Sequence, residues 1–594
     1  MMLIASIISL LFPRCANIVP PTGGPRDTIP PEVVSSIPAN FSTGFTGTEI
    51  QIEFDEFIQL RNINQQFIIT PPQKERPDFR VRGRNLYIDL KTEPIANTTY
   101  TLNFGDAIVD LNESNAFSNY EFVFSTGDKI DSLSYSGIVL NAFDNKPVEG
   151  AIVMLYEEIN DSVPYRRMPL YANRTGKDGR FQMNNLRVDT FLVFAITDAN
   201  NNYLYDRPGE EAIAFLDDYL YLTPDYQPPH MEHDTLIYDT LISDTLLNDT
   251  ALIFDIPSRE PAPYIRPDDT LYMFKEETGR QYLIRNERKK RGELLFVFNR
   301  PLRKEWSIEP VNFEPPESWK LVEKNPRMDS IRYWITDEET RKIDNMRFLV
   351  SYWATGPSDS LKQVSDSINM NYTAPLRSRR QAAEEEDEPV MEVPFGIRPG
   401  GNQELNKNLR ISFPVPLSHL DLSKTGLAVI QSNDIVPRDF DMISDSLRIR
   451  NYYLLTDWIP GKDYRFTSEP GAFKDIFGLE SDSIELNFKT REEDHYGSLI
   501  LSLSGVTDHI ILQLLDEREN LLREYFFEQD DELIIDYLQP DKYRLKVIFD
   551  TNKNRRWDTG NYLQGIQPER VMFYREVIAT RPNWDIEIKW DLGL

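Results

Sequence analysis

Two nine-residue stretches carry residue types that could hold a hard cation: DANNNYLYD (198–206) and DTNKNRRWD (550–558). Each places side-chain oxygens at relative positions 1, 3, 5 and 9. These are Asp198, Asn200, Asn202 and Asp206 in the first stretch, and Asp550, Asn552, Asn554 and Asp558 in the second. That is the spacing by which a calcium loop wraps its ion. A complete EF-hand loop also needs Gly at position 6 and Glu at position 12. Here position 6 is Tyr203 or Arg555 and position 12 is Gly209 or Asn561. Arg555 and Arg556 would repel a cation in the second copy. The same residues suit an Asx-rich turn, whose Asp and Asn side chains bond their own backbone. Both readings stay open at this point, and occurrence twice in one chain speaks for a shared structural job.

Cys15 is the only cysteine in 594 residues. It follows an apolar run from Met1 to Phe12 and precedes ANIVPPTGGPRDTIPP, rich in Pro and Gly. A dozen apolar residues fall short of the roughly 20 that span a bilayer. They have the length of a signal-peptide core. A cysteine at the end of such a core can carry a lipid on its thiol, and cleavage frees its amine. Pro13 and Arg14 stand where such cleavage sites prefer small residues, and no positive charge precedes Leu3. A lone cysteine rules out an intramolecular disulfide.

A third pattern is Asp-(Ser/Thr)-apolar, centred on Thr28, Ser132, Ser162, Thr235, Thr240, Thr245, Thr250, Thr270, Ser330, Ser360, Ser367, Ser446 and Ser483. It resembles the O-glycosylation acceptor motif of one group of Gram-negative bacteria. Thr235, Thr240, Thr245 and Thr250 fall in a low-complexity stretch with a five-residue beat, which makes them the most accessible of the set. Catalytic signatures are missing. The histidines are His230, His233, His419, His495 and His509, none of them in a motif with a nucleophile or a ligand set. No nucleophile elbow, zinc-protease helix or phosphate loop appears. The expectation is a protein that is not an enzyme and needs no cofactor, calcium apart.

The formal net charge of −30 opposes nucleic acid, whose phosphates need clustered Lys and Arg. It equally disfavours anionic headgroups, so membrane contact would come through the lipid.

The elements that position these residues read as strands. EIQIEF (49–54), NLYIDL (85–90), TYTLNF (99–104), ELLFVF (293–298), LRISF (409–413), IELNF (484–488) and YRLKVIF (543–549) are short apolar or alternating runs bounded by turn residues. Forty prolines suit edges, turns and linkers rather than helices. A chain this long should form several domains.

Segment 30–127, with Pro30, Pro31, Pro38, Phe54, Tyr100, Asp110 and Phe124-Ser125-Thr126 as landmarks, resembles the bacterial surface-protein Ig-like domain family. That resemblance implies a seven-stranded sandwich. Segment 394–491 repeats the profile, with Tyr464, Asp475 and Phe488-Lys489-Thr490 in the matching places, and 270–375 reads as a more divergent copy. Around the first Asp/Asn stretch, Gly137, Pro147, Gly150, Ala151, Gly176, Asp178, Gly179 and Phe181 resemble the carboxypeptidase regulatory-like (transthyretin-like) sandwich. No active-site residues come with that resemblance. NLRVDTFLVFAITDANNNYLYD and YLQPDKYRLKVIFDTNKNRRWD align without gaps at an offset of 352 residues, so 495–592 is a second copy.

The expected fold class is therefore all-β, a string of Ig-like and transthyretin-like sandwiches joined by flexible linkers. The expected division is a signal peptide (1–14), a lipidated Cys15 with a Pro/Gly tether (15–29), sandwiches at 30–127 and 132–222, a low-complexity linker (223–269), a sandwich at 270–375, a charged linker (376–393), and sandwiches at 394–491 and 495–592. The anchor, tether and first domain together resemble a family of bacterial Ig-like-domain lipoproteins. The resemblance implies an outer-membrane protein held by lipid on Cys15, on either face, acting as a scaffold or binding subunit for an outer-membrane barrel or envelope complex. A surface adhesin or glycan binder is the alternative.

Overall fold

The computed structural model describes residues 27–224, 269–277, 281–302, 304–355, 361–373, 391–431 and 434–593. The chain divides into two compact units. One comprises residues 1–277 with Asp558–Glu569; the other comprises Thr278–Trp557 with Arg570–Leu594. Both are built from mostly antiparallel sandwiches, so the fold class expected from the alternating runs is the one observed.

In the first sandwich, EIQIEF buries Ile50, Ile52 and Phe54 on one face and NLYID buries Leu86 and Ile88. This period of two is what a strand with one core face requires. One sheet runs Val33–Ile37, Glu49–Phe54, Asn85–Asp89, Asp78–Arg82 in spatial order. The other runs Ile68–Thr70, Thr99–Asn103, Glu121–Ser125, and a short pair, Ile58–Leu60 with Ile108–Asp110, accompanies them. Phe54, Phe104, Phe122, Phe124 and Tyr100 fill the space between.

The family landmarks are the groups that fasten this sandwich. The Tyr100 hydroxyl accepts from the Ile95 N–H at 2.9 Å, and its ring stacks on Phe124 at 5.2 Å. Thr126 Oγ1 accepts from the Thr98 N–H and donates to the Ile95 carbonyl. Buried Asp110 accepts backbone N–H groups from Glu113, Ser114 and Asn115. Burial alone would raise its carboxyl; the N–H groups of Ser114, Asn115, Glu113 and Asn112 outweigh that and hold it below the usual carboxylate range.

The second unit contains two sandwiches of the same plan. Leu283–Glu287, Glu293–Phe298, Ser330–Ile335 and Lys320–Lys324 form one sheet of the first, and Ser307–Pro310, Asn345–Thr355 and Leu361–Asn371 the other. This is the strand order of the 30–127 domain, so the divergence lies in sequence and not in topology. In the next sandwich, Leu409–Ser412, Asn451–Leu455 and Asp441–Ser444 form one sheet. Thr425–Gln431, Asp463–Ser468 and Ile484–Thr490 form the other, with extra edge strands at Asn402–Gln403 and Asp434–Arg438.

The remaining two sandwiches match each other as closely. In the first unit, Arg180–Leu186, Leu133–Asn141 and Asp269–Met273 lie side by side; in the second unit, Asp531–Leu538, Gly497–Ser504 and Asp585–Asp591 do. In both, the third strand runs parallel to the middle one. The opposing sheets, Tyr171–Arg174, Ile152–Tyr156, Asp189–Ile196, Ile213–Phe215 and Leu521–Phe527, Ile510–Asp516, Lys542–Phe549, Val571–Phe573, also correspond. Gly137 is required by close approach: a Cβ there would lie 2.5 Å from the Asp269 carbonyl oxygen and 2.7 Å from the Phe181 ring.

That third strand moves an expected boundary. A linker ending at 269 and a sandwich beginning at 270 would cut through Asp269–Met273, which pairs with Gly137–Asn141 and buries Leu271 and Met273 in the core of the second sandwich. The low-complexity stretch is thus an insertion within that sandwich, between Leu220–Leu222 and its closing strand. The physical reason is burial: Leu271 and Met273 fill that core from a strand whose sequence neighbours give no sign of it.

Candidate functional site

The two Asp/Asn stretches follow the strands Asp189–Ile196 and Lys542–Phe549, and they fold alike. Asp198 Oδ1 accepts from the N–H groups of Asn200 and Asn202, and Oδ2 from Tyr203 at 2.8 Å. Asp550 Oδ1 accepts from Asn554 and Oδ2 from Arg555, also at 2.8 Å. Asn202 Oδ1 then takes the Leu204 N–H, as Asn554 Oδ1 takes that of Arg556. Positions 4 and 6 are left-handed in both loops: Asn201 and Tyr203, Lys553 and Arg555. Such residues cost roughly 1–2 kcal/mol each outside glycine, and the paired carboxylate bonds hold them there.

Asp206 closes the first loop by accepting from the side-chain amides of Asn200 and Asn202, the latter at 2.8 Å. Asp198, Asn200, Asn202 and Asp206 are therefore brought together, as the spacing required. Asp550, Asn552 and Asn554 are likewise grouped, with Asn552 Oδ1 on the Asn554 N–H. Asp558 lies at the far end of its loop, donating its N–H to Glu569 Oε2.

The sequence reading missed Glu211 and Glu569, both buried. Glu211 accepts from the Ala199 and Arg207 N–H groups and so ties the loop's two ends. Burial pushes its carboxyl up; those N–H bonds draw it part of the way back, and the charges of Asp206 and Asp198 add to the rise. The available signal was position: each Glu precedes by two residues a strand that pairs with the loop's own strand, at Ile213 and Val571.

Among the described residues, no three His, Cys, Asp or Glu side chains are grouped as a metal site. What the geometry does chemically is satisfy the turn's own backbone. Asp198→Ala and Asp550→Ala should each cost about 1–3 kcal/mol through orphaned N–H groups, measured by denaturant unfolding. The turn reading expects the same melting temperature with and without millimolar calcium; a calcium-dependent rise would establish a cation site instead.

Tyr203 points from the first loop to a small cleft lined by Phe67, Ile69, Pro72, Gln73 and Arg76 of the Ig-like sandwich. Nearby the two sandwiches of the first unit are joined by polar bonds. Thr70 Oγ1 donates to the Ala172 carbonyl at 2.6 Å, and Asn185 donates to Thr101 Oγ1. Glu121 accepts from Asn103 and Asn184, one on each sandwich. Burial raises the Glu121 carboxyl, and the two amides offset part of the rise. Because the folded form holds its proton more tightly, its contribution to stability is fully present below the unfolded value of about 4.3. It is lost as pH rises through the raised folded value. Glu121→Gln is expected to remove that slope from unfolding curves recorded between about pH 4 and 7; an unchanged slope would assign it elsewhere.

Cys15, Thr235, Thr240, Thr245, Thr250, Ser360, His230 and His233 lie outside the described residues. Of the remaining acceptor-motif hydroxyls, Thr28, Ser132, Thr270, Ser367, Ser446 and Ser483 are on exposed residues, and Ser162 and Ser330 are half-buried. Among the described residues, no helix is long and apolar enough to cross a membrane.

Residues 27–126 match the family model of the bacterial Ig-like domain. No curated protein matches the chain. Among solved structures, the chain is similar to the N-terminal part of the bacterial S-layer protein SbsC, at 14% identity and a TM-score of 0.13. That match covers 29% of this chain and 42% of the other, so the chain spans less than half of that relative. It is similar to the S-layer protein rSbsC(31-844) at 10% identity and a TM-score of 0.13, over 93% of this chain and 67% of the other. It is also similar to BcpA, the major pilin subunit of Bacillus cereus, at 8% identity and a TM-score of 0.13, over 78% and 99%. At these scores the likenesses carry no argument, and the sandwich assignment rests on the sheets and the family match.

Proposed function

We propose that the protein is a non-enzymatic cell-envelope lipoprotein, lipidated on Cys15, that acts as a scaffold or binding subunit beside an outer-membrane protein complex. The observation that supports this reading is the joinery of the sandwiches. Within each unit, neighbouring sandwiches meet through satisfied polar groups, Thr70 with Ala172 in one and Glu323 with Arg450 in the other. Such joints suit a spacer that must keep its shape while its loops and edges meet a partner. Pro20 to Pro31 then serves as a semi-rigid tether. One acyl chain binds a bilayer only marginally, so more than one lipid on Cys15 would be needed. O-glycans on Thr235, Thr240, Thr245 and Thr250 would coat the insertion of the second sandwich.

A pull-down from detergent-solubilised envelopes tests the reading, with Cys15→Ala beside the natural chain. Membrane fractionation of the natural chain with a stoichiometric outer-membrane partner, and a soluble variant, is expected. If both chains stay soluble, the anchor and the outer-membrane role fall together. An anchored chain that comes down alone moves weight to the adhesin alternative. For that alternative, exposed Tyr219 and Tyr221 meet with ring planes at 86°, and so offer no common plane on which a sugar ring could stack.

A further inference from the structure

The sheet Tyr171–Arg174, Ile152–Tyr156, Asp189–Ile196, Ile213–Phe215 is apolar on both faces. All five residues of Ile152–Tyr156 are buried, and so are Phe194, Ile196, Ile213 and Phe215. A sandwich sheet ordinarily buries one face and wets the other, so the outer face here needs a cover. Tyr562 supplies it: its ring centroid lies 5.2 Å from Phe194, 5.1 Å from Phe215 and 6.1 Å from Tyr165, which itself lies 5.5 Å from Tyr205.

Tyr562 sits in Asp558–Glu569, the stretch that belongs to the first unit although it lies nearly 300 residues beyond the rest of it. This stretch is a preformed finger. Its base is closed by the Asp558 N–H on Glu569 Oε2 and the Glu569 N–H on the Asp558 carbonyl. Its tip is closed by reciprocal backbone bonds between Asn561 and Ile566, with Gly565 left-handed.

Polar contacts fix the finger in register. The Tyr562 N–H donates to Glu276 Oε1 at 2.7 Å, while Tyr205 donates to Oε2 of the same carboxylate. Thr559 Oγ1 donates to the Lys275 carbonyl, and Gln567 Nε2 to the Phe215 carbonyl and Asp217. The internal repeat shows that the finger is an addition. Asp206 and Glu211 are five residues apart, whereas their counterparts Asp558 and Glu569 are eleven apart.

We propose that the face formed by Phe194, Phe215, Tyr165 and Glu276 is a binding site for an aromatic-tipped hairpin, and that its occupant is this chain's own Asp558–Glu569. The finger completes the outer layer of the first unit, as an inserted side chain completes a core. Recognition needs the ring to fill the apolar face, the tip N–H to reach the Glu276 carboxylate, and Gln567 to meet the Phe215 carbonyl.

Hydrogen exchange on the full chain tests this, comparing Tyr562→Ala, Tyr562→Phe and Leu563→Ala. Leu563 is 70% exposed at the tip and serves as the control. Tyr562→Ala is expected to speed exchange in Asp189–Ile196 and Ile213–Phe215 by about tenfold or more. Tyr562→Phe should keep protection, and Leu563→Ala should change nothing. A synthetic peptide of residues 558–569 added to the Tyr562→Ala chain should restore protection. Should Tyr562→Ala fail to fold, Thr559→Ala with Gln567→Ala removes only polar anchors and is expected to speed exchange in the same strands. Natural-rate exchange in the folded Tyr562→Ala chain, or in the polar double variant, would overturn the proposal. So would equal acceleration by Leu563→Ala.

Discussion

Trp334→Ala is expected to destabilise the second unit by about 3–5 kcal/mol, the range for truncating a large buried aromatic. The indole is 2% exposed and does three things at once. It stands across from Leu321 of the neighbouring strand, on the face opposite the core residues Tyr333 and Ile335. Its Nε1 donates to Glu323 Oε2 at 2.8 Å. Its ring also lies within reach of the guanidinium groups of Arg332, at 5.6 Å from the centroid, and Arg450, at 5.5 Å. Arg450 comes from the neighbouring sandwich and donates from Nε to both oxygens of Glu323, at 3.1 and 3.0 Å. The group is thus a buried joint between two domains. Trp334→Phe keeps most of the packing but removes a donor from a buried carboxylate, for about 1–3 kcal/mol. A double-mutant cycle of Trp334→Phe with Arg450→Ala separates packing from joinery. Coupling of about 0.5–3 kcal/mol is expected if the three groups act together, whereas additivity would reduce the joint to two unrelated contacts.

Local patterns in the sequence were enough to find most strands, because one buried face forces a period of two. Glu49–Phe54 and Asn85–Asp89 follow it residue for residue. The paired landmarks were legible for a different reason: Tyr100 and Tyr464, or Asp110 and Asp475, do the same bonding in each copy, so the same residue types recur. Asp475 accepts from the Phe477 and Leu479 N–H groups as Asp110 does from its own turn. What escaped depends on partners far along the chain. Asp269–Met273 carries the Asp-Thr-Leu signature of the stretch before it, and its partner strand begins at Leu133. Glu323 stands in KLVEK, where alternation marks neither its burial nor a partner 127 residues away.

The candidate loops were legible in composition and spacing but not in role. Oxygen atoms at positions 1, 3, 5 and 9 serve a cation or a turn equally well. Asp198 and Asp550 accept backbone N–H groups, which builds the turn and leaves each carboxylate lone pairs for an ion. The buried Glu211 and Glu569 complete each loop from outside the nine-residue window, so a motif of fixed length could not include them. The finger escaped for a related reason. The gap-free repeat ends at Asp558, and residues beyond it had no counterpart to be compared with.

Tyr100→Ala and Tyr464→Ala should each cost about 3–5 kcal/mol, and their agreement would test the Ig-like repeat itself. Both rings are almost fully buried. The Tyr464 hydroxyl accepts from the Ile459 N–H at 2.9 Å, and its ring stacks on Phe488 at 5.6 Å. Tyr100 does the same with Ile95 and Phe124. Thr490 closes the corner by donating to the Ile459 carbonyl at 2.6 Å, as Thr126 does to Ile95 at 2.7 Å. Removing only the hydroxyl, in Tyr100→Phe and Tyr464→Phe, should cost about 0.5–1.5 kcal/mol, since Thr126 and Thr490 still hold their strands. Burial raises the Tyr100 phenol, with the Ile95 N–H opposing. The folded state therefore keeps that proton longer than the unfolded state, and stability is expected to fall as pH rises past about 10. Denaturant unfolding of the four variants decides the matter. Matching pairs of losses mean that one corner was kept in both domains as a fastening, whereas a large loss in one domain and none in the other would mean that only one copy still depends on it.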